Sequence, residues 1–272
     1  MKLAKLYDRV SESYELTDRF IVNSQCRTVA LKQIAAQLDP TVAIDIVDLG
    51  VGDGEFLTHL KAPYPHAKFT GVDIADKMLE LARQKLDLQT INSSLHHIDA
   101  VLPHHSYDLI VAHLILAYVK LETVLQKCSI LQKDRGLVSI FTTTFESFSG
   151  SRKNLDENFE RRKLVGPVGK YFYQRAIDKT LVPKSYAEIK QIAEQQGYEI
   201  VSRQTLIEDL CFEDVAGVFE FGIKGGWFIT AIDYPYVPYS VLYAFVKLFM
   251  HLYVTFPITD TINFEVLLLR KK

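Results

Sequence analysis

The sequence has few cysteines and almost no net charge, and both shortages exclude classes of protein. Cys26, Cys128 and Cys211 are odd in number, far apart and without metal-ligand spacing, which predicts reduced thiols in the core rather than disulfides. The 31 basic and 33 acidic side chains leave a formal net charge of -2, too little for the positive field on which non-specific nucleic-acid binding depends. We therefore expect no nucleic-acid partner.

Long hydrophobic runs are also missing. Asp8 and Arg9 interrupt the amino-terminal segment before an apolar run of signal-peptide length forms, which predicts no secretory signal and a cytoplasmic location. The most apolar segment, residues 240–256, is too short and too interrupted to predict a membrane span. Three roles remain open for this segment: a cap helix over an apolar pocket, a homodimer interface, or a helix that makes peripheral contact with a membrane. Its narrow polar stripe consists of Ser240, Tyr243, Lys247 and His251.

Short apolar runs alternate with helical patterns along much of the chain, which predicts an α/β fold with a mostly parallel, doubly wound sheet. At 272 residues we expect a single domain, 1–272, that begins with a helical lead-in at residues 1–40. The clearest alternation covers residues 42–144. Residues 145–183 are polar and predict an exposed excursion with one short helix, and residues 206–262 are too long for a simple loop before the last strand.

One strand-to-helix turn combines glycines with acids. Gly50, Gly52 and Gly54 follow Asp48, but the third glycine of a dinucleotide-binding turn would stand where Glu55 is. Asp53 and Glu55 would also place negative charge beside a pyrophosphate. The turn therefore favours a cationic or zwitterionic ligand.

Two more acids follow later strands. Asp73 ends the segment FTGVD, and a carboxylate there can accept hydrogen bonds from two neighbouring hydroxyls. Asp99, followed by Ala100, stands in the segment SSLHHIDAVLP. Each acid alone could instead cap a helix or a turn.

In this order, the glycine turn and the acids resemble the class I S-adenosylmethionine-dependent methyltransferases. The resemblance implies a seven-stranded Rossmann-like sheet with an antiparallel last strand, S-adenosylmethionine as the cofactor, and residues 42–144 as the cofactor-binding half. It assigns Asp73 to the ribose and Asp99 with Ala100 to the adenine amino group. Residues 145–183 and 206–262 become insertions on the substrate side. The other implied cofactor contacts are Asp48, Gly50, Gly52 and Gly54 in the turn, Ile74 and Met78 along the adenine, and Tyr7, Tyr14 and Arg27 in the lead-in.

Methyl transfer from a sulfonium chiefly requires alignment of the acceptor and exclusion of water, so a catalytic base is optional. His113, at the end of the fourth strand, is the candidate base, and Tyr118 is a candidate for lining the same pocket; both could equally be structural. His96, His97, His104 and His105 lack a third ligand, and we expect no metal. The apolar 240–256 segment favours a small, partly apolar acceptor and, we expect, O-methylation.

The sequence is also compatible with two other functions. A nucleotide-dependent oxidoreductase could use a similar sheet, although Glu55 argues against it. A non-catalytic module could bind cofactor and act through the apolar segment.

Overall fold

The computed structural model describes residues 2–11, 23–228 and 237–272. The helices are α1 Lys2–Val10, α2 Asn23–Ala35, α3 Glu55–Lys61, α4 Asp76–Lys85, α5 Leu121–Leu131, α6 Ser149–Arg161, α7 Gly166–Ile177, α8 Tyr186–Gln195, α9 Val215–Phe219 and α10 Tyr239–Tyr253. A 3-10 turn spans Leu95–Ala100, and a π-helical turn spans Glu220–Lys224. The strands are β1 Asp45–Leu49, β2 Lys68–Asp73, β3 Gln89–Asn92, β4 Tyr107–His113, β5 Gln132–Thr143, β6 Tyr198–Phe212 and β7 Ile258–Lys271.

Seven strands form one sheet in the order β3-β2-β1-β4-β5-β7-β6. The first five are mutually parallel, and β7 runs antiparallel to β5 from the pair Leu137 and Arg270 to the pair Thr143 and Phe264. The predicted α/β fold, including the antiparallel last strand, is therefore confirmed.

The central strands are apolar because helices cover the sheet. Alternate residues of β1, Val47 and Leu49, pack in a core that also includes Leu125 of α5 and Ile189 of α8. Side chains alternate across a strand, so Asp48 lies on the opposite face of β1. Because the carboxyl ends of the parallel strands share one edge of the sheet, the turns after β1, β2 and β4 meet there.

The chain divides into two compact units. The sheet unit comprises Val22–Phe145, Val182–Leu206 and Phe264–Lys272. The helical unit comprises Met1–Ile21, Glu146–Leu181 and Ile207–Asn263. Its last two segments begin and end within two residues of the predicted insertions, 145–183 and 206–262, whereas the predicted lead-in of residues 1–40 is divided between the units. A single domain with a cap stays a prediction.

Two sequence-based interpretations need correction. Residues 145–183 contain two long helices, α6 and α7, rather than one short one. Cys211 is exposed rather than a core thiol, and its Sγ donates a hydrogen bond to Glu213; Cys26 and Cys128 are buried as expected.

The apolar 240–256 segment corresponds to α10, which has 15 residues. Among the residues that the structure describes, no helix has both the length and the hydropathy needed to cross a bilayer. The cytoplasmic location stays a prediction.

Candidate functional site

The glycine turn between β1 and α3 is held close to β2 by its own backbone. The amides of Gly50 and Val51 donate hydrogen bonds to the carbonyl of Val72 at 2.7 and 2.9 Å. Gly50 has a φ of 88°, and a Cβ at this position would collide with Ile115. Glycine is therefore required here both for the left-handed backbone and for the close approach of the turn after β4.

Gly54 precedes α3 in the left-handed region, with a φ of 77°. A Cβ on it would lie 3.0 Å from the Cβ of Ala82 on α4. The glycine thus allows α3 to begin tightly against α4, with the first amides of α3 at the carboxyl edge of the sheet.

Asp73 joins the end of β2 to this turn. Its Oδ2 accepts a hydrogen bond from the Gly52 amide at 3.0 Å, and its Oδ1 accepts one from the Ala75 amide at 2.9 Å. Each carboxylate oxygen has two lone pairs, so both can accept a further hydrogen bond from a ligand. The backbone bonds hold the carboxylate in one orientation before a ligand binds.

Asp48 is a buried acid beneath the turn, with 3% of its surface exposed. Its Oδ1 has no hydrogen-bond partner among the described residues. Burial raises the pKa of Asp48 to about 8, and repulsion from Asp73 and Asp53 adds to the effect. A buried acceptor without a donor is costly, which is typical of a position that a ligand completes.

Lys85, at the end of α4, partly neutralises the acids of the turn. Its Nζ lies 2.6 Å from Oδ2 of Asp53 and 2.8 Å from Oε2 of Glu55. Burial alone would lower the pKa of Lys85, but the hydrogen bonds to both acids outweigh it and the pKa is raised. Sequence reasoning missed Lys85, because its separation from Glu55 is 30 positions and no local pattern marks the pair.

His113 ends β4, beside the glycine turn. Asp48 pairs with Val111 in the sheet, so His113, two residues further, lies level with Gly50. Its ring packs 4.3 Å from that of Phe56 in α3, and its Nε2 lies 2.9 Å from Oγ of Ser139. Burial lowers the pKa of His113 to about 3, and the positive charge of Arg27 contributes.

The lead-in residues are only partly described. Arg27 lies on α2 in the sheet unit, near enough for its charge to lower the pKa of both Glu55 and His113. Tyr7 lies on α1 in the helical unit. Tyr14 lies outside the described residues. The proximity of Arg27 to the glycine turn is compatible with its predicted role, which stays a prediction.

The predicted adenine contacts differ in accessibility. Ile74 is half-buried after β2, whereas Met78 has 1% of its surface exposed and packs in the core of the sheet unit. Asp99 lies in the 3-10 turn with its carboxylate bound to Lys127 of α5 at 2.6 Å, and Ala100 is exposed. Contacts of these four residues with adenine stay predictions.

The remaining predicted residues lie on two turns. Tyr118 is half-buried in the turn after β4, where its amide bonds to the Ile115 carbonyl. His96 and His97 lie in the 3-10 turn. Within the described ranges no three His, Cys, Asp or Glu side chains group as metal ligands.

Comparison with known proteins supports the class of protein that the resemblance implies. A family model described as a methyltransferase domain matches residues 46–136, which include the glycine turn, Asp73 and His113. The seven-stranded, mostly parallel sheet with flanking helices matches the Rossmann-like methyltransferase class. These matches support a class I S-adenosylmethionine-dependent methyltransferase, an enzyme with S-adenosylmethionine as the methyl donor.

Two relatives show the range of acceptors among similar chains. A demethylmenaquinone methyltransferase of Thermotoga maritima is 27% identical over 228 residues, which cover 79% of this chain and 93% of the relative. A malonyl-[acyl-carrier protein] O-methyltransferase of Bacillus cereus is 23% identical over 177 residues, which cover 64% of this chain and 65% of the relative. The second alignment leaves about a third of that enzyme unmatched.

Solved structures share the fold at low identity. A SAM-dependent methyltransferase of Thermotoga maritima has a TM-score of 0.50 and 15% identity, over 98% of this chain and 99% of the other. Phosphoethanolamine N-methyltransferase 2 of Haemonchus contortus, in complex with S-adenosyl-L-methionine, has a TM-score of 0.51 and 15% identity. The match covers 96% of this chain and 57% of the other. These similarities show the fold.

The residues present fit the cofactor. The unpartnered, buried Oδ1 of Asp48 suits a cationic or hydrogen-bond-donating group, and Asp73 presents two pre-oriented oxygens for hydroxyls. S-adenosylmethionine supplies an activated methyl group on a sulfonium. Asp48 and the glycine turn would hold its amino-acid end and Asp73 its ribose, while Phe56 and His113 exclude water from the same edge of the sheet.

Proposed function

We propose that this methyltransferase transfers the methyl group to an oxygen of a small, partly apolar acceptor, and that this oxygen belongs to a carboxylate. Phenols and alcohols need a base near their proton, whereas a carboxylate is already ionised at neutral pH. Transfer to a carboxylate forms one carbon–oxygen bond, breaks one carbon–sulfur bond and moves no proton.

The observation that carries this proposal is the weak basicity of His113. Its pKa is lowered to about 3 by burial and by Arg27, so the imidazole is neutral at pH 7 and a poor proton acceptor. An imidazole with such a pKa is far from the match to operating pH that efficient general bases have. The role left to His113 is to orient the acceptor and shape the pocket wall, together with Ser139.

Arg27 supports an anionic acceptor. Its positive charge acts on His113, at the edge of the sheet where the cofactor's methyl group is expected. An arginine at this position favours a carboxylate over a neutral acceptor, either by contact with the acceptor or by balancing the acids of the glycine turn. The malonyl-[acyl-carrier protein] O-methyltransferase of Bacillus cereus, by its name, acts on an acid.

Methylation of an apolar ring is the second candidate, because the demethylmenaquinone methyltransferase of Thermotoga maritima aligns over 93% of its length. The test is a screen of the purified chain with methyl-labelled S-adenosylmethionine over acyl acids, reduced naphthoquinones, phenols and amines. Alkaline hydrolysis of each product distinguishes the chemistry, since a methyl ester releases labelled methanol and an ether or a carbon-bound methyl group does not. The carboxylate proposal would be refuted if no acid were methylated and if a quinone product kept its label after alkaline hydrolysis.

A further inference from the structure

Among the described residues of the helical unit, several large apolar side chains of α7 and α10 lie exposed rather than in its core. Inside the unit, α6, α7 and α10 pack around Phe159, whose ring lies 5.3 Å from that of Tyr253. Gly169 permits this contact, because a Cβ there would lie 2.7 Å from Cζ of Tyr253. The Tyr253 hydroxyl donates to the Val165 carbonyl at 2.8 Å, which joins α10 to the beginning of α7.

The outer sides of α7 and α10 carry large apolar side chains in two adjacent rows. Phe172 and Phe245 join the rows, with their ring centroids 5.2 Å apart. Leu164 is 93% exposed and Val168 is 54% exposed, in contrast to the buried Phe159. We name this surface the α7–α10 face, and its principal exposed residues are Leu164, Val168, Tyr171, Val241, Phe245 and Leu248.

The spacing of these residues shows that the face is continuous. On α7, Val168 is followed by Tyr171 and Phe172 at intervals of three and four, and on α10 Val241, Phe245 and Leu248 recur at intervals of four and three. Leu164 lies in the turn just before α7. Residues at this spacing share one side of a helix. Each helix therefore exposes several apolar residues on one side, rather than isolated hydrophobic residues of the ordinary kind.

Basic side chains border the face. From Arg161 to Ile177 the chain has five basic residues and no acid, and α10 has Lys247 and His251 and no acid. Arg162, Lys163 and Lys170 are all exposed, and Arg161 lies 3.8 Å from Glu157. Lys247 lies over the ring of Phe219 inside the unit, so the basic border is formed chiefly by the α6–α7 turn and α7.

We propose that the α7–α10 face docks the enzyme on an anionic lipid bilayer. Exposed apolar side chains beside lysines and arginines are the combination that binds the interface of a membrane with negatively charged headgroups. Leu164, next to Arg162 and Lys163 at the tip of a turn, enters the acyl region while the cations remain with the headgroups. The absence of any helix among the described residues that could span a bilayer makes this a peripheral contact.

Charge also argues against a second copy of the chain as the occupant. In a twofold-symmetric dimer the same patch meets itself, which would bring the basic border of one copy against that of the other. Like charges so placed oppose association. A negatively charged surface is complementary to the same border.

Co-sedimentation of the full chain with vesicles tests this proposal. Binding is expected to phosphatidylcholine vesicles that contain phosphatidylglycerol, to weaken with added salt, and to be much weaker on phosphatidylcholine alone. The triple variant Arg162→Gln, Lys163→Gln, Lys170→Gln should bind about a hundredfold more weakly, at about fivefold for each basic residue. The control Lys32→Gln, Lys120→Gln, Lys272→Gln removes the same charge from exposed positions in the sheet unit and should bind as the unmodified chain does.

A second pair of variants tests the apolar part. Val168→Ser should weaken vesicle binding several-fold, whereas Val42→Ser, at a comparable exposure of 52% in the sheet unit, should not. Circular dichroism and melting curves establish that each variant is folded. Equal binding to neutral and anionic vesicles, or no binding to either, overturns the proposal. So does a dimer in sedimentation equilibrium that Val168→Ser dissociates, because the face would then belong to a second copy.

Discussion

Lys85 and Asp53 form an ion pair of 2.6 Å that fastens the end of α4 to the glycine turn. The same Nζ reaches Glu55 at 2.8 Å, so one cation serves two of the four acids around the turn. The turn is thus less negative than its sequence indicates, and Asp48 and Asp73 stay the acids that we expect to face a ligand.

Lys85→Met should loosen the turn. Removal of two partly buried ion pairs is expected to cost about 1 kcal/mol and to lower the apparent melting temperature by about 2–4 °C. Differential scanning fluorimetry measures the shift. Lys190→Met is the matched control, since Lys190 pairs with Glu194 at 4.0 Å on an exposed helix face. An equal shift in both variants would contradict a special role for Lys85.

Asp48 should release a proton when S-adenosylmethionine binds. With a pKa of about 8 the free protein holds this carboxyl largely protonated at pH 7, and a cationic ligand lowers the pKa. Isothermal titration calorimetry at pH 7 in two buffers of different ionisation enthalpy should reveal the release. The effect should fade well above pH 8 and be absent in Asp48→Asn; identical heats in both buffers would refute it.

The same acid should make the free protein's stability depend on pH. The folded pKa lies above the ordinary value of 3.8, so the folded state binds more protons than the unfolded state between these pH values. The contribution of Asp48 to the free energy of unfolding therefore falls as pH rises toward about 8 and is least favourable above it. Asp48→Asn should gain stability over the unmodified chain across this range in urea titrations at several pH values.

Asp73→Ala should weaken S-adenosylmethionine binding on the order of a hundredfold, because two hydrogen bonds to a charged group are lost together. Calorimetry or equilibrium dialysis measures the affinity. Asp76→Ala is the control, since this neighbouring exposed acid bonds to Asn92 rather than to the turn. Unchanged affinity in Asp73→Ala would remove Asp73 from the site.

His113→Gln should reduce kcat by less than about tenfold if the acceptor is a carboxylate, since loss of a general base typically costs 10²–10⁴-fold. The unmodified enzyme should show no limb in kcat/KM near pH 6.5, because the pKa of His113 is lowered to about 3. A pH profile with a limb near 6.5 that disappears in His113→Gln would instead make His113 the base.

Much of the sheet could be predicted because its signals are local. The alternation of apolar runs with helical patterns over residues 42–144 predicts the order of strands and helices there, and helix α5, Leu121–Leu131, buries apolar residues at helical spacing. The sequence predicted one short helix in residues 145–183 because α6 is polar on most sides and the two glycines and the proline of α7 weaken its helical signal. Their stability depends on contacts such as that of Phe159 with Tyr253, which are distant in the chain.

The candidate site likewise contains residues that local sequence patterns predict and residues that only the tertiary structure reveals. The glycines and Asp73 are recognisable because the backbone of one turn needs them at fixed spacing. Lys85 and Ser139 are not recognisable from the sequence, because their partners, Asp53 and His113, lie on other elements of the fold. The exposure of Cys211 depends on the path of β6, which no local pattern reports.

The sequence by itself determined the class of protein and the position of the cofactor turn, because a strand, a glycine turn and a strand-end acid are each specified by neighbouring residues. Tertiary structure decided the charge of the site. Whether Asp48 is ionised, whether His113 can accept a proton and whether Lys85 balances the turn all depend on burial and on distances between residues far apart in the chain. These quantities exist only once the elements pack, since packing removes water and sets which charges face each other.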